Sequence, residues 1–405
     1  KMTVDFNHLY SERARNLIAS DIREILKIMR EPDLISFAGG MPNPDTFPIS
    51  VIGEIAQDVL NDSITESLQY GVTEGHMPLR EALADRMRMR GVECEPENIL
   101  VTSGAQQAVD LTSQLLLDPQ ACVLTESPTF VAALIGLRGY RVKIHSVSLD
   151  EEGIIVDILE EKLKGLHLAG IHPRMLYVIP NFQNPKGVTM SEPRRKKIVD
   201  LANEFDFIVL EDDPYYNLRF EGDHIPPIKA FDDSGRVIYA SSFSKILSPG
   251  MRIGWIVSHR DIIRKITLLK QTSDVSTNVL SQCIAAEYLS KGHLDKQLPK
   301  IRELYHRKQK VMLSSLEEYF PSEARWTRPQ GGMFLWVELP ENIDTQQLQS
   351  KALERKVAFI HGSLFFPDGS GRNTMRLSYS HPTDDQIREG IQRLGEVIKE
   401  EMRAR

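Results

Sequence analysis

Seven short apolar runs, most of them rich in β-branched residues, recur between residues 98 and 257, separated by amphipathic or polar stretches of helical length. They are NILV at 98–101, ACVLTES at 121–127, YRVKIHSVSL at 140–149, MLYVIP at 175–180, FIVL at 207–210, VIYA at 237–240 and MRIGWIV at 251–257. Runs of this length are strands rather than helices. Apolar on both faces and alternating with helical patterns, they predict a mostly parallel sheet covered on two sides. The run at 79–89 and the stretch after Glu192 have helical spacing, and SGAQQAVDLTSQLLL reads as a glycine turn opening a helix.

The pattern changes near both ends. Residues 19–30 (ASDIREILKIMR) predict a short helix capped by Ser20 or Asp21, with Ile22, Ile25, Leu26 and Met29 on one face and Arg23 outside that stripe. Gly39, Gly40 and the prolines at 32, 42, 44 and 48 then impose a long irregular loop of the kind that carries binding residues. After residue 290, Leu294, Leu298, Ile301, Tyr305, Met312 and Leu316 mark one long helix, followed by short strands in GGMFLWVEL, VAFIHG and TMRLSYS and a charged terminal helix. This divides the chain into a large α/β domain at 51–289 and a small α+β domain at 290–405, with the arm, helix and loop of residues 1–50 joining the small one.

Charge narrows the possible partners. With 49 basic and 56 acidic residues, a net charge of −7, the chain has no basic field to attract nucleic acid or an anionic membrane. No apolar run approaches the ~20 residues that span a bilayer, and no signal-peptide core is present, so a cytoplasmic protein acting on small molecules is expected. Cys94, Cys122 and Cys283 lie too far apart for a disulfide framework or zinc site; they read as packing residues, and no metal is expected.

Chemistry concentrates in SSFSKILSPGMRIGW at 241–255. Lys245 follows a strand, at the end of the sheet where open α/β folds place ligands. Packing there would lower the amine's pKa and free it to form an imine with a carbonyl. Ser242, Ser244 and Arg252 are suited to hold a phosphate. An imine-forming lysine beside a phosphate cup suggests pyridoxal phosphate, which joins both groups in one molecule. The segment also matches the acylating motif S-x-x-K, but its companions S-D-N and K-T-G are absent.

Other positions read two ways on spacing alone. The turn at 103–106 would aim helix N–H groups at an anion, as many βα turns do. Phe130 is a core residue or a ring stacked on a flat ligand, and Asn184 before proline is ordinary turn chemistry. Arg23 reads as a solvated helix charge. Glu211, Asp212 and Asp213 repel one another at a strand end, so at least one needs a cationic partner.

In this order, Gly104, Ala105, Gln106, Asn184, Asp212, Tyr215, Ser242, Ser244, Lys245, Arg252 and Arg376 resemble the fold-type I pyridoxal-phosphate aminotransferases. The likeness is greatest to the 2-aminoadipate and kynurenine or aromatic aminotransferases, through IREILK, FAGGMPNPDTFP, LQYGVTEG, PNFQNPKG, EDDPYY, SFSKILSPGMRIGW, GGMFLW and NTMRLSYS, over nearly the whole chain.

The resemblance implies a seven-stranded, mostly parallel sheet in the large domain. Lys245 would bind the cofactor covalently and carry the proton, Asp212 would pair with the ring nitrogen, and Asn184 and Tyr215 would reach the ring oxygen. Phe130, where many relatives have tyrosine, would stack on the ring. Gly104, Ala105, Gln106, Ser242, Ser244 and Arg252 would hold the phosphate, joined by Tyr70 from the second subunit of a homodimer. Arg376 would clamp the substrate α-carboxylate with Asn184 and the backbone at Gly40, and Arg23 becomes a candidate for recognising a distal carboxylate.

The activity implied is ping-pong transfer of an amino group between 2-aminoadipate, an aromatic or another bulky L-amino acid and 2-oxoglutarate. β-Elimination on the same cofactor is the alternative within enzymes. A transcriptional regulator with an aminotransferase-like domain is the least favoured, because the roughly one hundred residues before the GAQQ turn match the enzymes' own arm, helix and loops and the acidic net charge disfavours DNA binding.

Overall fold

The computed structural model describes residues 6–17, 33–62 and 64–404. The helix expected at 19–30, with Arg23, lies outside them.

In chain order the strands are β1 (Ile35–Ser36), β2 (Ile99–Thr102), β3 (Cys122–Ser127), β4 (Lys143–Asp150), β5 (Gly153–Ile154), β6 (Pro173–Val178), β7 (Ile208–Asp212), β8 (Val237–Ser242), β9 (Gly254–Val257), β10 (Arg325–Trp326), β11 (Phe334–Glu338), β12 (Val357–Ala358), β13 (Ile360–His361) and β14 (Thr374–Ser378). The large sheet runs β2-β9-β8-β7-β6-β3-β4-β5. The seven strands expected from the pattern are all present, and β5 adds a two-residue eighth that folds back on the end of β4. From β8 through β7, β6 and β3 to β4 every pairing is parallel, whereas β9 runs antiparallel to both neighbours. The buried residues of β2, β7, β8 and β9 leave no solvated face, as a sheet between helix layers requires.

Parallel strands share one carboxyl edge, and residues distant in sequence meet there. Asp212 ends β7, Lys245 follows β8 by three residues, Phe130 follows β3 by three, and Asn184 lies in the turn after β6. Glycine sets the spacing at the β2 side. Gly254 pairs with both Thr102 and Ser242, and a Cβ on it would stand 2.6 Å from the Gly104 carbonyl carbon and 2.8 Å from the Ala105 nitrogen.

The smaller sheet is antiparallel, in the order β10-β11-β14-β13. It is flanked by the helix His293–Tyr319, on which Leu294, Leu298, Ile301, Tyr305, Met312 and Leu316 are all buried, and by the terminal helix Asp384–Ala404. The glycine- and proline-rich loop is less irregular than its composition predicts, because β1 pairs in parallel with β12. Ser378 then donates its N–H to the Phe37 carbonyl at 2.8 Å. The loop backbone thereby runs between β14 and the edge where Lys245 sits.

All three cysteines are buried and free. Among the described residues no helix is long and apolar enough to cross a membrane, and no cluster of potential metal ligands occurs.

Candidate active site

At the carboxyl edge a cavity of about 330 Å³ opens between the two sheets. Ala105, Gln106, Phe130, Asn184, Asp212, Tyr215, Ser242, Ser244, Lys245, Arg252 and Arg376 all line it, as does Gly40. Gly104 stands directly behind this wall, as the N-cap of the helix Ala105–Leu116. Tyr70 does not reach the cavity of its own chain and is 84% exposed.

Lys245 Nζ donates to the Gly40 carbonyl at 2.7 Å, which fastens the loop over the end of β8. Burial, with Arg376 and Arg252 nearby, pushes this amine down to about 8. At neutral pH a useful fraction is therefore unprotonated and nucleophilic.

Opposite charge enters from β7. The Asp212 carboxyl is pushed up to about 7 by burial, against a 2.6 Å hydrogen bond from the Tyr177 hydroxyl to its Oδ2, and Asp213 raises it further. Its Oδ1 is buried without a partner. A buried carboxylate oxygen left free is costly, and a cationic N–H in the cavity would satisfy it.

Arg376 is held from two sides. Its Nη1 donates to Asn184 Oδ1 at 2.8 Å and its Nη2 to the Ala38 carbonyl at 2.7 Å, while its Nε is buried with no partner. The guanidinium lies over the Phe334 ring, 4.3 Å from its centroid. Strand β14 holds the arginine in register between Trp336 and Ile360. Asn184 Nδ2 also reaches the Tyr215 hydroxyl at 3.4 Å, so one asparagine links both walls.

The opposite end of the cavity is a helix start. Gly104 has φ +89°, and a Cβ there would come within 2.4 Å of Arg252 Nη2, so any other residue would strain the turn and push the guanidinium aside. The first-turn N–H groups at Ala105 and Gln106 lack intrahelical acceptors. Together with Ser242, Ser244 and the cation Arg252, they make a cup for an anion.

A family description, "Aminotransferase class I and II", matches residues 33–394. The chain belongs to this family. An aromatic-amino-acid aminotransferase 1 of Thermococcus litoralis is 47% identical over 99% of this aminotransferase and 96% of its own length. A kynurenine aminotransferase of Pyrococcus horikoshii, solved in complex with PMP, KYN and KYA, superimposes with a TM-score of 0.95 at 45% identity, over 98% of each chain. An alpha-aminoadipate aminotransferase of Thermus thermophilus, complexed with N-(5'-phosphopyridoxyl)-L-leucine, does so with a TM-score of 0.92 at 37% identity, over 99% of this chain and 100% of its own.

Aminotransferases of this class work with pyridoxal phosphate. The residues of the cavity fit that molecule: an amine for its aldehyde, an orphaned carboxylate oxygen for its protonated ring nitrogen, and a helix start with hydroxyls and an arginine for its phosphate.

The tertiary structure also brings in side chains that the sequence did not single out. Tyr177 holds Asp212. Arg90 supplies the cationic partner expected for the acidic triplet, bonding Asp213 at 2.7 Å. Glu211 instead accepts the N–H groups of Ile228 and Lys229. Glu126 is fully buried at the end of β3, accepts from the Ile179 N–H and from Gln183, keeps Oε1 unpartnered, and is pushed up to about 8 by burial. A tyrosine in one apolar run and an arginine after a helix carry no local signal of such roles.

Proposed function

We propose that this aminotransferase moves the amino group between an aromatic or other bulky L-amino acid, or 2-aminoadipate, and 2-oxoglutarate in two half reactions. One observation carries this reading: an amine at about 8, a carboxylate with a free oxygen and an arginine with a free Nε converge on one cavity. Bound pyridoxal phosphate supplies the aldehyde that receives the amino group and a ring that draws electrons from the substrate Cα.

The chain's residues do the rest. Lys245 binds the cofactor between turnovers and then moves the proton at the substrate Cα. Asp212 keeps the ring nitrogen protonated, Asn184 and Tyr215 bond the ring oxygen, and Phe130 packs on the ring face. Gly104, Ala105, Gln106, Ser242, Ser244 and Arg252 bind the phosphate. Arg376, with Asn184 and the backbone at Gly40, orients the α-carboxylate so that the Cα proton faces Lys245.

A homodimer completes the phosphate site through the partner's Tyr70. The exposure of Tyr70, Ile49, Leu68 and Val72 on neighbouring segments supports an apolar face of that kind. The net charge of −7 and free, buried cysteines support a cytoplasmic enzyme.

The walls favour bulky side chains. Met41, Val109, Ile179 and Phe334 are apolar, and among the described lining residues the only cations are Lys245, Arg252 and Arg376, each with a task. A distal carboxylate therefore needs a cation from elsewhere, and Arg23 is our candidate. The activities named for the Thermococcus, Pyrococcus and Thermus relatives support the same range of donors.

A donor panel of 2-aminoadipate, kynurenine, tyrosine, leucine and glutamate tests this. Cofactor absorbance should pass to the pyridoxamine form with a donor and return with a 2-oxo acid; a cofactor that stays in its aldehyde form while ammonia is released from a donor bearing a β-leaving group would indicate β-elimination. Arg376→Ala should raise KM for every donor, and Arg23→Ala only for dicarboxylic ones. A uniform effect at Arg23 would remove it from substrate recognition.

A further inference from the structure

Behind Asp212, on the side away from the cavity lining, lies a second charged centre. Asp213 Oδ2 accepts from Arg90 Nη2 at 2.7 Å and from the Tyr239 hydroxyl at 3.1 Å, and its Oδ1 accepts from Asn181 Nδ2 at 2.7 Å. Its backbone joins in: the N–H donates to the Ala240 carbonyl at 2.8 Å, and the carbonyl accepts from Ser241 Oγ at 2.8 Å. The Asp213 side chain has no exposed surface.

This single residue ties four stretches together. They are the end of β7 with Asp212, the end of β8 with Ser241 next to Ser242, the turn from Asn181 to Asn184, and the C-cap of the helix Met77–Met89, where Arg90 sits. Arg90 is the cation of the group. Its guanidinium stacks on Tyr216, 3.3 Å from the ring centroid, and also donates to the Tyr239 hydroxyl. Burial opposes its charge, but Tyr239, Asp213 and Tyr216 outweigh burial and hold it protonated.

We propose that Arg90 is a positioning residue for the reaction: by fixing and neutralising Asp213, it sets both the orientation of the neighbouring Asp212 and the charge that Asp212 presents to the cofactor nitrogen. This rests on the assignment of Asp212 to that nitrogen. The physical reason is local. Asp213 follows Asp212 directly in the chain and raises its pKa, so an uncompensated anion at Asp213 would disfavour ionisation of Asp212. The other titratable groups packed around the pair are Glu126 on β3, Tyr177 on β6, Glu211 on β7, Tyr215, Tyr216 and His224 in the segment after β7, Tyr239 on β8 and Arg195 on the helix Glu192–Phe205; burial and the nearby arginines push His224 down to about 4, so it adds no charge at the pH of the test. Arg195 bonds Asn181 Oδ1 at 2.8 Å and main-chain carbonyls, so it does not replace Arg90 at Asp213.

The test compares Arg90→Met, Arg90→Lys and the double variant Arg90→Met with Asp213→Asn, all as holoenzyme. Measured are cofactor retention on dialysis, the pH dependence of the cofactor absorbance and the acidic limb of kcat/KM. Arg90→Met should loosen cofactor retention about tenfold and move the acidic limb up by about one pH unit. Asp213→Asn in that background should return the limb to within ~0.3 unit of wild type, because the charge that displaced it is gone. Arg90→Lys, which keeps the charge but loses the planar fork, should leave the limb in place and loosen retention only about threefold. If Arg90→Met does not fold, Arg90→Lys decides by retention, and Arg90→Gln, which removes the charge with less loss of polarity, decides by the limb.

An unmoved limb in the charge-removing variant or wild-type retention in Arg90→Lys would overturn the proposal, as would a displaced limb that Asp213→Asn leaves unchanged. Failure of the underlying assignment looks different: in that case wild type itself would lack a cofactor band sensitive to Asp212→Asn.

Discussion

The Tyr177 hydroxyl donates to Asp212 Oδ2 at 2.6 Å across the adjacent parallel strands β6 and β7, while Asp212 Oδ1 remains buried and unpartnered. One oxygen is thus fixed and the other is left for a ligand. The same bond lowers the pKa of Asp212 against the effect of burial. Removing it with Tyr177→Phe should raise that pKa and cost kcat/KM about tenfold, as expected for a hydrogen bond to a charged group. Steady-state kinetics between pH 6 and 9 read this, with the deficit largest at the acid end; an unchanged profile would detach Tyr177 from Asp212's role.

Lys245→Ala should abolish both visible cofactor absorbance and turnover, and retained transamination would sink the assignment. A kinetic counterpart uses cofactor-free protein. Its rate of covalent capture of pyridoxal phosphate should rise with pH about a midpoint near 8, where burial, Arg376 and Arg252 place the amine, rather than near the ordinary lysine value.

Gly104→Ala should weaken cofactor binding at least tenfold while leaving the fold cooperative. The position has φ +89°, and the added methyl would lie 2.4 Å from Arg252 Nη2. Equilibrium titration with pyridoxal phosphate measures the loss. An unaltered affinity would show that Arg252 and this turn do not contact the phosphate.

Glu126 makes the stability of the cofactor-free protein depend on pH in a definite direction. Its folded pKa, about 8, is above its ordinary value of 4.5, so the folded chain holds a proton that the unfolded chain has released. Stability supplied by that proton is therefore lost as pH rises through the window from 4.5 to 8. Glu126→Gln keeps the shape and removes the titration, so urea unfolding should show a shallower fall, by up to about 1 kcal/mol per pH unit. Parallel curves for the two proteins would mean that Glu126 is not neutral in the folded state.

The amino-acid sequence by itself determined the alternation of strands and helices, the long helix at 293–319, the packing role of the cysteines and the grouping of Lys245 with Ser242, Ser244 and Arg252 at one cavity. These are short-range properties: periodicity and motif lie within a dozen residues, where local sterics and burial act. Strand direction is different, because an apolar run such as GWIV packs equally well either way, and only its neighbours made β9 antiparallel. β5, at two residues, is too short to leave a periodic mark.

The tertiary structure alone decided which side chains meet. Tyr177 lies 35 residues from Asp212, a separation closed by pairing β6 with β7, and Arg90 lies 123 from Asp213, a separation closed by packing the end of the helix Met77–Met89 against the sheet. It also gave the loop at Gly40 its place, by holding it against Ser378, Arg376 and Lys245 at once. A buried charge needs its partner in space, and spacing along the chain records nothing of that need.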